Sequence, residues 1–255
     1  MYKCSICNCI QYGILKPYVG FVSGFNGKNI VICSDCGHAS IFPMPTESQL
    51  NDYYSKYWEK LDTRSISRLF DAQASSRISK IFEYVKSEKS IKKILDVGAG
   101  LGYTKKFISN TIEYHAVEID DDARLLLGKI TDSKNVYETV KDSDHKYDIV
   151  LMAHIIEHLV HPKDILVDVN QRMRSAALLF IEVPNLDHLY KSKNQPHLHF
   201  FSKETLSRLI EECGYKILFC ETCGAETKSF KLSTTKKLKH VNKVIKKILP
   251  RMLVR

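Results

Sequence analysis

No apolar run free of charge in this 255-residue chain approaches the ~18–20 residues needed to cross a bilayer. The first residues, Met1-Tyr-Lys-Cys4, also lack the basic stretch leading into an apolar one that opens a secretory signal. Neither a membrane span nor a leader is expected. Acidic residues are missing from Lys228 to Arg255, where ten Lys or Arg stand without one Asp or Glu. Setting that stretch aside leaves 28 basic and 29 acidic residues, so the net charge of +9 belongs to the tail and the body is neutral. A neutral body disfavours nucleic acid as the partner. At 44% hydrophobic and 26% charged, the composition excludes collagen-like, largely disordered and disulfide-scaffold classes. Internal repeats are absent. Eight cysteines without a secretory signal point to a reducing compartment, hence a cytoplasmic protein with thiols free or bound to metal.

Cysteine is concentrated at the start. Cys4-Ser-Ile-Cys7 and Cys33-Ser-Asp-Cys36 form two CxxC knuckles 25 residues apart, with Gly37 placed for a tight turn after the second. Two such knuckles make a closed tetrahedral thiolate site, the arrangement of a structural zinc ribbon, with no coordination position left for catalysis. Residues 1–42 therefore read as a zinc module, with Cys9 spare. Residues 43–64 read as a connecting segment whose aromatics, Tyr53, Tyr54, Tyr57 and Trp58, recur near helical spacing. The Cys220–Cys223 pair lacks further ligands in sequence and reads as free thiols.

From Ser65 to Val85 the apolar residues keep a 3.6-residue period and predict a helix. Short β-rich runs at 94–97, 114–118, 135–139, 148–152 and 178–182 then alternate with helical or mixed stretches, the pattern of a parallel sheet with crossover helices. Ser202 is placed to cap a helix running to Cys213 and stopping at Gly214. Strand-like runs at Lys216–Glu221 and Thr227–Leu232 predict a closing antiparallel hairpin. In Ile94-Leu-Asp96-Val-Gly98-Ala99-Gly100-Leu-Gly102 an apolar strand enters three glycines and then a run from Tyr103 expected to continue as a helix. Glycines there allow a sharp bend and close approach of a ligand. The spacing is not the GxGxxG of dinucleotide sites. Twenty residues past Gly98, Glu118 ends the next strand, where a carboxylate can accept from both hydroxyls of a ribose. Bound adenosine is expected.

Taken in order, Ile94–Gly102, Glu118, the run from Tyr147 through His154, Glu157 and His158 to Pro162, and Phe180-Ile-Glu182-Val-Pro-Asn185 resemble the motifs of class I S-adenosylmethionine-dependent methyltransferases over roughly 65–232. The resemblance implies a Rossmann-like, doubly wound α/β fold with seven strands, the last antiparallel. It implies that Asp96, Gly98, Ala99, Gly100 and Gly102 surround the methionine part of the donor, with His154 nearby, and that Glu118 holds the ribose. The adenine would meet Glu138 or Thr139, where the chain departs from the usual Gly-Asp pattern. Cys33–Gly37 with Phe42-Pro-Met-Pro45 and the aromatics beyond looks like the zinc-binding lead of bacterial methyltransferases acting on sugars and other small metabolites.

For the acceptor side, His154, Glu157 and His158 share one face of a helical turn beyond the fourth strand, ended by Pro162. Three readings stay open: a mainly structural or pocket-shaping group, a general base at His154 or His158, and a divalent metal held by all three. Ubiquinone-pathway methyltransferases, which bind metal at a similar place, carry Glu where this chain has His154. His197 and His199 are alternative bases, in a segment that the resemblance brings to the acceptor. In the tail, 233–255, Leu238, Val241, Ile245 and Ile248 line one side of a possible helix, for which a solvated tail, a membrane-surface contact and an RNA contact are the alternatives. The sequence thus predicts a methyltransferase acting on a hydroxyl or amine of a small metabolite, with sugars, nucleotide-linked sugars and surface-glycan precursors preferred. An RNA methyltransferase and a non-catalytic cofactor-fold protein are the rivals.

Overall fold

The computed structural model describes residues 1–20, 25–54, 63–85, 87, 90–191, 193–194, 196–223 and 249–254. Strands β1 (Tyr12–Pro17), β2 (Asn29–Cys33) and β3 (Ala39–Phe42) open the chain as an antiparallel meander. Helices α1 (Glu47–Tyr54) and α2 (Thr63–Phe82) follow. The chain then alternates: β4 (Lys93–Val97), β5 (Glu113–Val117), α3 (Asp121–Ile130), β6 (Val136–Tyr137), β7 (Tyr147–Ala153), α4 (Pro162–Arg172) and β8 (Met173–Glu182). A short β9 (His199–Phe200), α5 (Lys203–Glu212), β10 (Ile217–Cys223) and β11 (Leu249–Val254) complete it.

The main sheet runs β10-β11-β8-β7-β4-β5-β6. Its five strands β8 to β6 are parallel, while β11 is antiparallel to both β8 and β10. Continuous apolar runs such as Ile149–Met152 and Leu178–Ile181 are buried because helices cover both faces of a parallel sheet. After β4 the chain winds outward through β5 and β6, then returns to the other side of β4 with β7. Adjacent loops therefore part at the carboxyl ends of β4 and β7, the switch point where open α/β sheets bind ligands.

Three sequence expectations change. The run from Tyr103 forms only a 3-10 turn, Tyr103–Phe107, and the strand expected at 135–139 is just Val136–Tyr137. Among the described residues the antiparallel partner of β10 is Leu249–Val254; Thr227–Leu232, expected in that role, lies outside them. The end of the basic tail is thus part of the sheet; the segment carrying Leu238 to Ile248 also lies outside the described residues. The N-terminal module packs against the main domain. β3 pairs with β9, matching Ala39 with Phe200 and Ser40 with His199, and Tyr2, Cys4, Ile6, Val31 and Cys33 share one apolar core with Phe201, Leu206 and the β4–β7–β8 face. No helix among the described residues is long and apolar enough to cross a membrane.

Candidate active site

The glycine turn leaves β4 with Gly98, Gly100 and Gly102 all in left-handed backbone, φ +71°, +54° and +73°. Gly98 and Ala99 donate their N–H groups to the Val117 carbonyl, and Gly100 donates to Glu118 Oε2 at 2.8 Å. Glu118 Oε1 accepts from the Asp120 N–H at 3.1 Å. Two main-chain donors thus fix the carboxylate and still leave lone pairs for a vicinal diol. Glu118 and Asp96 are both buried, and burial raises both pKa values. Asp96 Oδ2 accepts from the Tyr114 hydroxyl at 2.8 Å. Two of the glycines serve packing directly. A Cβ on Gly98 would sit 1.9 Å from Ile155 Cδ1, and one on Gly102 2.3 Å from Ile130 Cδ1. Glu138 stands with its side chain 63% exposed, 3.9 Å from Arg124.

Beyond β7 the chain makes the 3-10 turn Ile156–His158 rather than a full helix. His154 adopts φ +60° and donates its N–H to the Glu182 carbonyl. Its two ring nitrogens face two buried carboxylates, Nδ1 3.4 Å from Glu157 Oε1 and Nε2 3.3 Å from Glu182 Oε1. That double engagement makes His154 a bridge between carboxylates, in keeping with the structural reading among the three left open. Arg77, on α2, donates Nε and Nη2 to Glu182 Oε1 at 2.9 and 2.6 Å. Burial pushes Glu182 up, but His154 and Arg77 outweigh it and hold the carboxyl far below the usual range.

His199, which the sequence left either as a base or as a ring packed against Phe200 and Phe201, lies against Phe201. It is 1% exposed in β9, with Nδ1 3.0 Å from His38 Nε2, and the two rings stack. Burial lowers it to about 4. It ties the N-terminal module to the main domain.

His197, by contrast, turns into the site. Its N–H donates to Asn194 O, its carbonyl accepts from the Tyr18 hydroxyl, and the next residue, Leu198, donates its N–H to the Glu157 carbonyl. Glu157, His158 and His197 consequently converge, each offering a ligand atom within 4.8 Å of the others. The His158 and His197 rings lie 4.8 Å apart, nearly perpendicular. Tyr54 and His158 Nδ1 are 3.0 Å apart, and His197 Nδ1 is 2.7 Å from Asp187 Oδ2. Burial lowers His158 to about 3, so its imidazole is neutral at physiological pH. Sequence reasoning missed Arg77 and Asp187, which belong to no local motif, whereas Tyr54 comes from the aromatic segment that the sequence singled out.

At the module, Cys4 Sγ and Cys36 Sγ are 3.6 Å apart, and Cys7 Sγ and Cys33 Sγ 3.4 Å. A tetrahedral zinc with bonds of ~2.3 Å separates its sulfurs by about 3.8 Å, so the four thiols fit one ion. The knuckles close alike: Asn8 N–H donates to Cys4 O and Gly37 N–H to Cys33 O, both residues with positive φ.

Residues 57–218 match the family model described as a methyltransferase domain. No curated protein sequence matches the chain. Among solved structures, the chain is similar to the Burkholderia thailandensis 1,6-didemethyltoxoflavin-N1-methyltransferase, whose structure contains 1,6-didemethyltoxoflavin and S-adenosylhomocysteine. The TM-score is 0.59 with 14% identity, covering 93% of this chain and 98% of that one. An Archaeoglobus fulgidus SAM-dependent methyltransferase gives 0.53 with 23% identity over 72% and 93%. A Clostridium acetobutylicum S-adenosylmethionine-dependent methyltransferase gives 0.52 with 9% identity over 82% and 98%. These likenesses carry the fold, and the family match carries the activity: this chain belongs to the methyltransferase-domain family and is, by that membership, an S-adenosylmethionine-dependent methyltransferase.

Proposed function

We propose that the chain transfers a methyl group from S-adenosylmethionine to a hydroxyl or amine of a small metabolite, with a sugar or nucleotide-linked sugar as the preferred acceptor. The observation that carries the methyl-transfer reading is the position of Glu118 and the glycine turn at the carboxyl ends of β4 and β5, with a buried His/Glu cluster beyond β7; the sugar preference rests on the resemblance of the cysteine-containing lead alone. In this reading Glu118 accepts from the ribose hydroxyls, Asp96, Gly98, Ala99, Gly100 and Gly102 enclose the methionine part, and Glu138 lies toward the adenine. When bound there, the sulfonium donor supplies the methyl group. The transfer disperses positive charge, so residues that exclude water and align the acceptor supply much of the rate. The Glu157, His158 and His197 cluster receives the acceptor, and His154, held between Glu157 and Glu182, fixes the turn that carries it.

We assign structural zinc to Cys4, Cys7, Cys33 and Cys36, and residues 1–42 to the module it stabilises. Zinc analysis after dialysis should find an ion that Cys33→Ser abolishes. Calorimetric titration of S-adenosylmethionine into the purified protein tests the donor site. Binding weakened at least ~10-fold in Glu118→Ala is expected, and no heat with wild type would refute the assignment. A coupled assay for demethylated donor across nucleotide sugars and RNA then separates the acceptor classes; turnover on RNA alone would refute the small-metabolite reading.

A further inference from the structure

Large apolar side chains stand exposed where two segments distant in sequence meet. On β1 and its flanks these are Ile10, Ile14, Leu15 and Val19, with Ile10 63% and Ile14 67% exposed. At the end of the 3-10 turn Asp187–Leu189, Leu189 is 67% exposed and Tyr190 follows it to the surface. The two segments are tied through the main chain: Lys16 Nζ donates to the His188 carbonyl, and the Asn194 N–H donates to Val19 O at 3.0 Å. Side by side they make one apolar strip, extended by Ile32 of β2, which is exposed beside Gly13. An apolar patch of this kind on a folded surface marks a place that docks.

The charge around the strip is of one sign. Residues 1–34 contain Lys3, Lys16 and Lys28 and no Asp or Glu. Asp35, the next acid along the chain, is 3.2 Å from Arg208 of α5. Between Leu186 and Asn194 the one acid, Asp187, is buried, with Lys191 Nζ 2.7 Å from its Oδ2, while Lys3 and Lys193 are exposed. Apolar side chains bordered by lysines and free of exposed acid suit an anionic membrane surface, where the apolar groups enter the acyl boundary and the ammonium groups meet lipid phosphate.

A strand added by a second copy fits less well. β1 is the outer strand of its sheet, but a bulge breaks its register between Ile14 and Lys16, and Pro17 removes an N–H; both blunt an edge against pairing. Such a strand would cover β1 and not Leu189 or Tyr190, which lie outside that sheet.

We propose that this strip seats the protein on an anionic lipid surface as a peripheral contact. The loop that holds Leu189 and Tyr190 runs on to His197, so lipid docking and the acceptor cluster share one loop. The contact itself does not depend on the methyl-transfer reading.

The full chain is tested by flotation with vesicles of phosphatidylcholine, with and without phosphatidylglycerol. Binding to the mixed vesicles is expected, and weaker binding to phosphatidylcholine alone. Residues 228–248 also carry basic charge, so the deciding variants leave them intact. Ile14→Ser/Leu15→Ser/Leu189→Ser should partition at least ~30-fold more weakly, because three exposed apolar side chains no longer leave water. Its circular dichroism and S-adenosylmethionine binding should be unchanged. Leu189→Trp in a Trp58→Phe background should shift its emission to the blue on mixed vesicles and be quenched by brominated lipid, which attraction of residues 228–248 alone would not cause. Absence of vesicle binding by wild type, equal binding by the triple variant, or Leu189→Trp emission indifferent to vesicles overturns the proposal. A concentration-dependent dimer that the triple variant abolishes, without vesicle binding, would assign the strip to a second copy instead. Vesicle binding without S-adenosylmethionine binding would refute the donor reading and leave the lipid contact standing.

Discussion

Arg77 and Glu182 carry the largest electrostatic stake of any single pair in the site. Their contact is buried and bidentate from Arg77 to one oxygen, and Glu182 in turn meets His154. Removing one partner of such a pair strands the other charge, so Arg77→Met should cost about 3–5 kcal/mol in chemical denaturation. The double variant Arg77→Met/Glu182→Gln should recover part of that loss; additive losses would mean that the two side chains do not act as a pair. Gly98 poses a steric question instead. Alanine there must hold φ +71° and displace the Ile155 side chain, so Gly98→Ala should cost roughly 1–2 kcal/mol from the backbone alone, plus the clash. Adding Ile155→Ala should relieve only the clash, and complete rescue would show that the left-handed backbone is not costly. The glycines and Asp96 could be found from sequence because they form a contiguous strand–turn pattern, and Glu118 because it ends the next strand at a set spacing from it. Arg77 and Asp187 could not, because nothing local distinguishes an arginine on a helix that will meet a buried carboxylate 105 residues away.

Two short strands decide how the elements communicate. β9 is only two residues long, yet it is an edge of the four-stranded sheet, and the loop before it delivers His197. Losing the thiolate site should therefore loosen more than the module. Cys33→Ser is expected to speed hydrogen exchange at the amides of 197–200 as well as within β2 and β3; protection unchanged at 197–200 would show that the module folds independently of that segment. β11 lies between β8 and β10. A chain ending at residue 248 would leave both neighbours with unpaired edges, so it should unfold earlier or aggregate. A thermal midpoint equal to that of the full chain would exclude β11 from the stable sheet. Composition assigned that end of the chain to a basic tail because Lys and Arg dominate it, and pairing information is carried by the partner strands, not by charge counts.

Across the whole molecule, acid should open the junction between module and main domain. His199 packs on His38 and lies near Glu157 and His161. Burial lowers its folded-state pKa to about 4 from an ordinary 6.5, so the neutral ring is favoured by folding. The resulting stability is complete above pH 6.5 and is lost as pH falls toward 4, amounting to roughly 3 kcal/mol. Urea denaturation between pH 7 and 4 should show that slope in wild type and a smaller one in His199→Phe; equal slopes would place the acid sensitivity elsewhere.

Periodicity, the glycine turn and the cysteine spacing were sufficient to set the α/β class and to single out the glycine turn and the four clustered cysteines, because each arises from residues close together along the chain. Tertiary structure alone decided that His199 is a buried joint, that His154 bridges two carboxylates, that His197 completes the cluster with Glu157 and His158, and that the final strand comes from 249–254. Those outcomes depend on which distant segments share a core and a sheet edge. A side chain's chemistry follows from burial and partners, which exist only after the chain has folded.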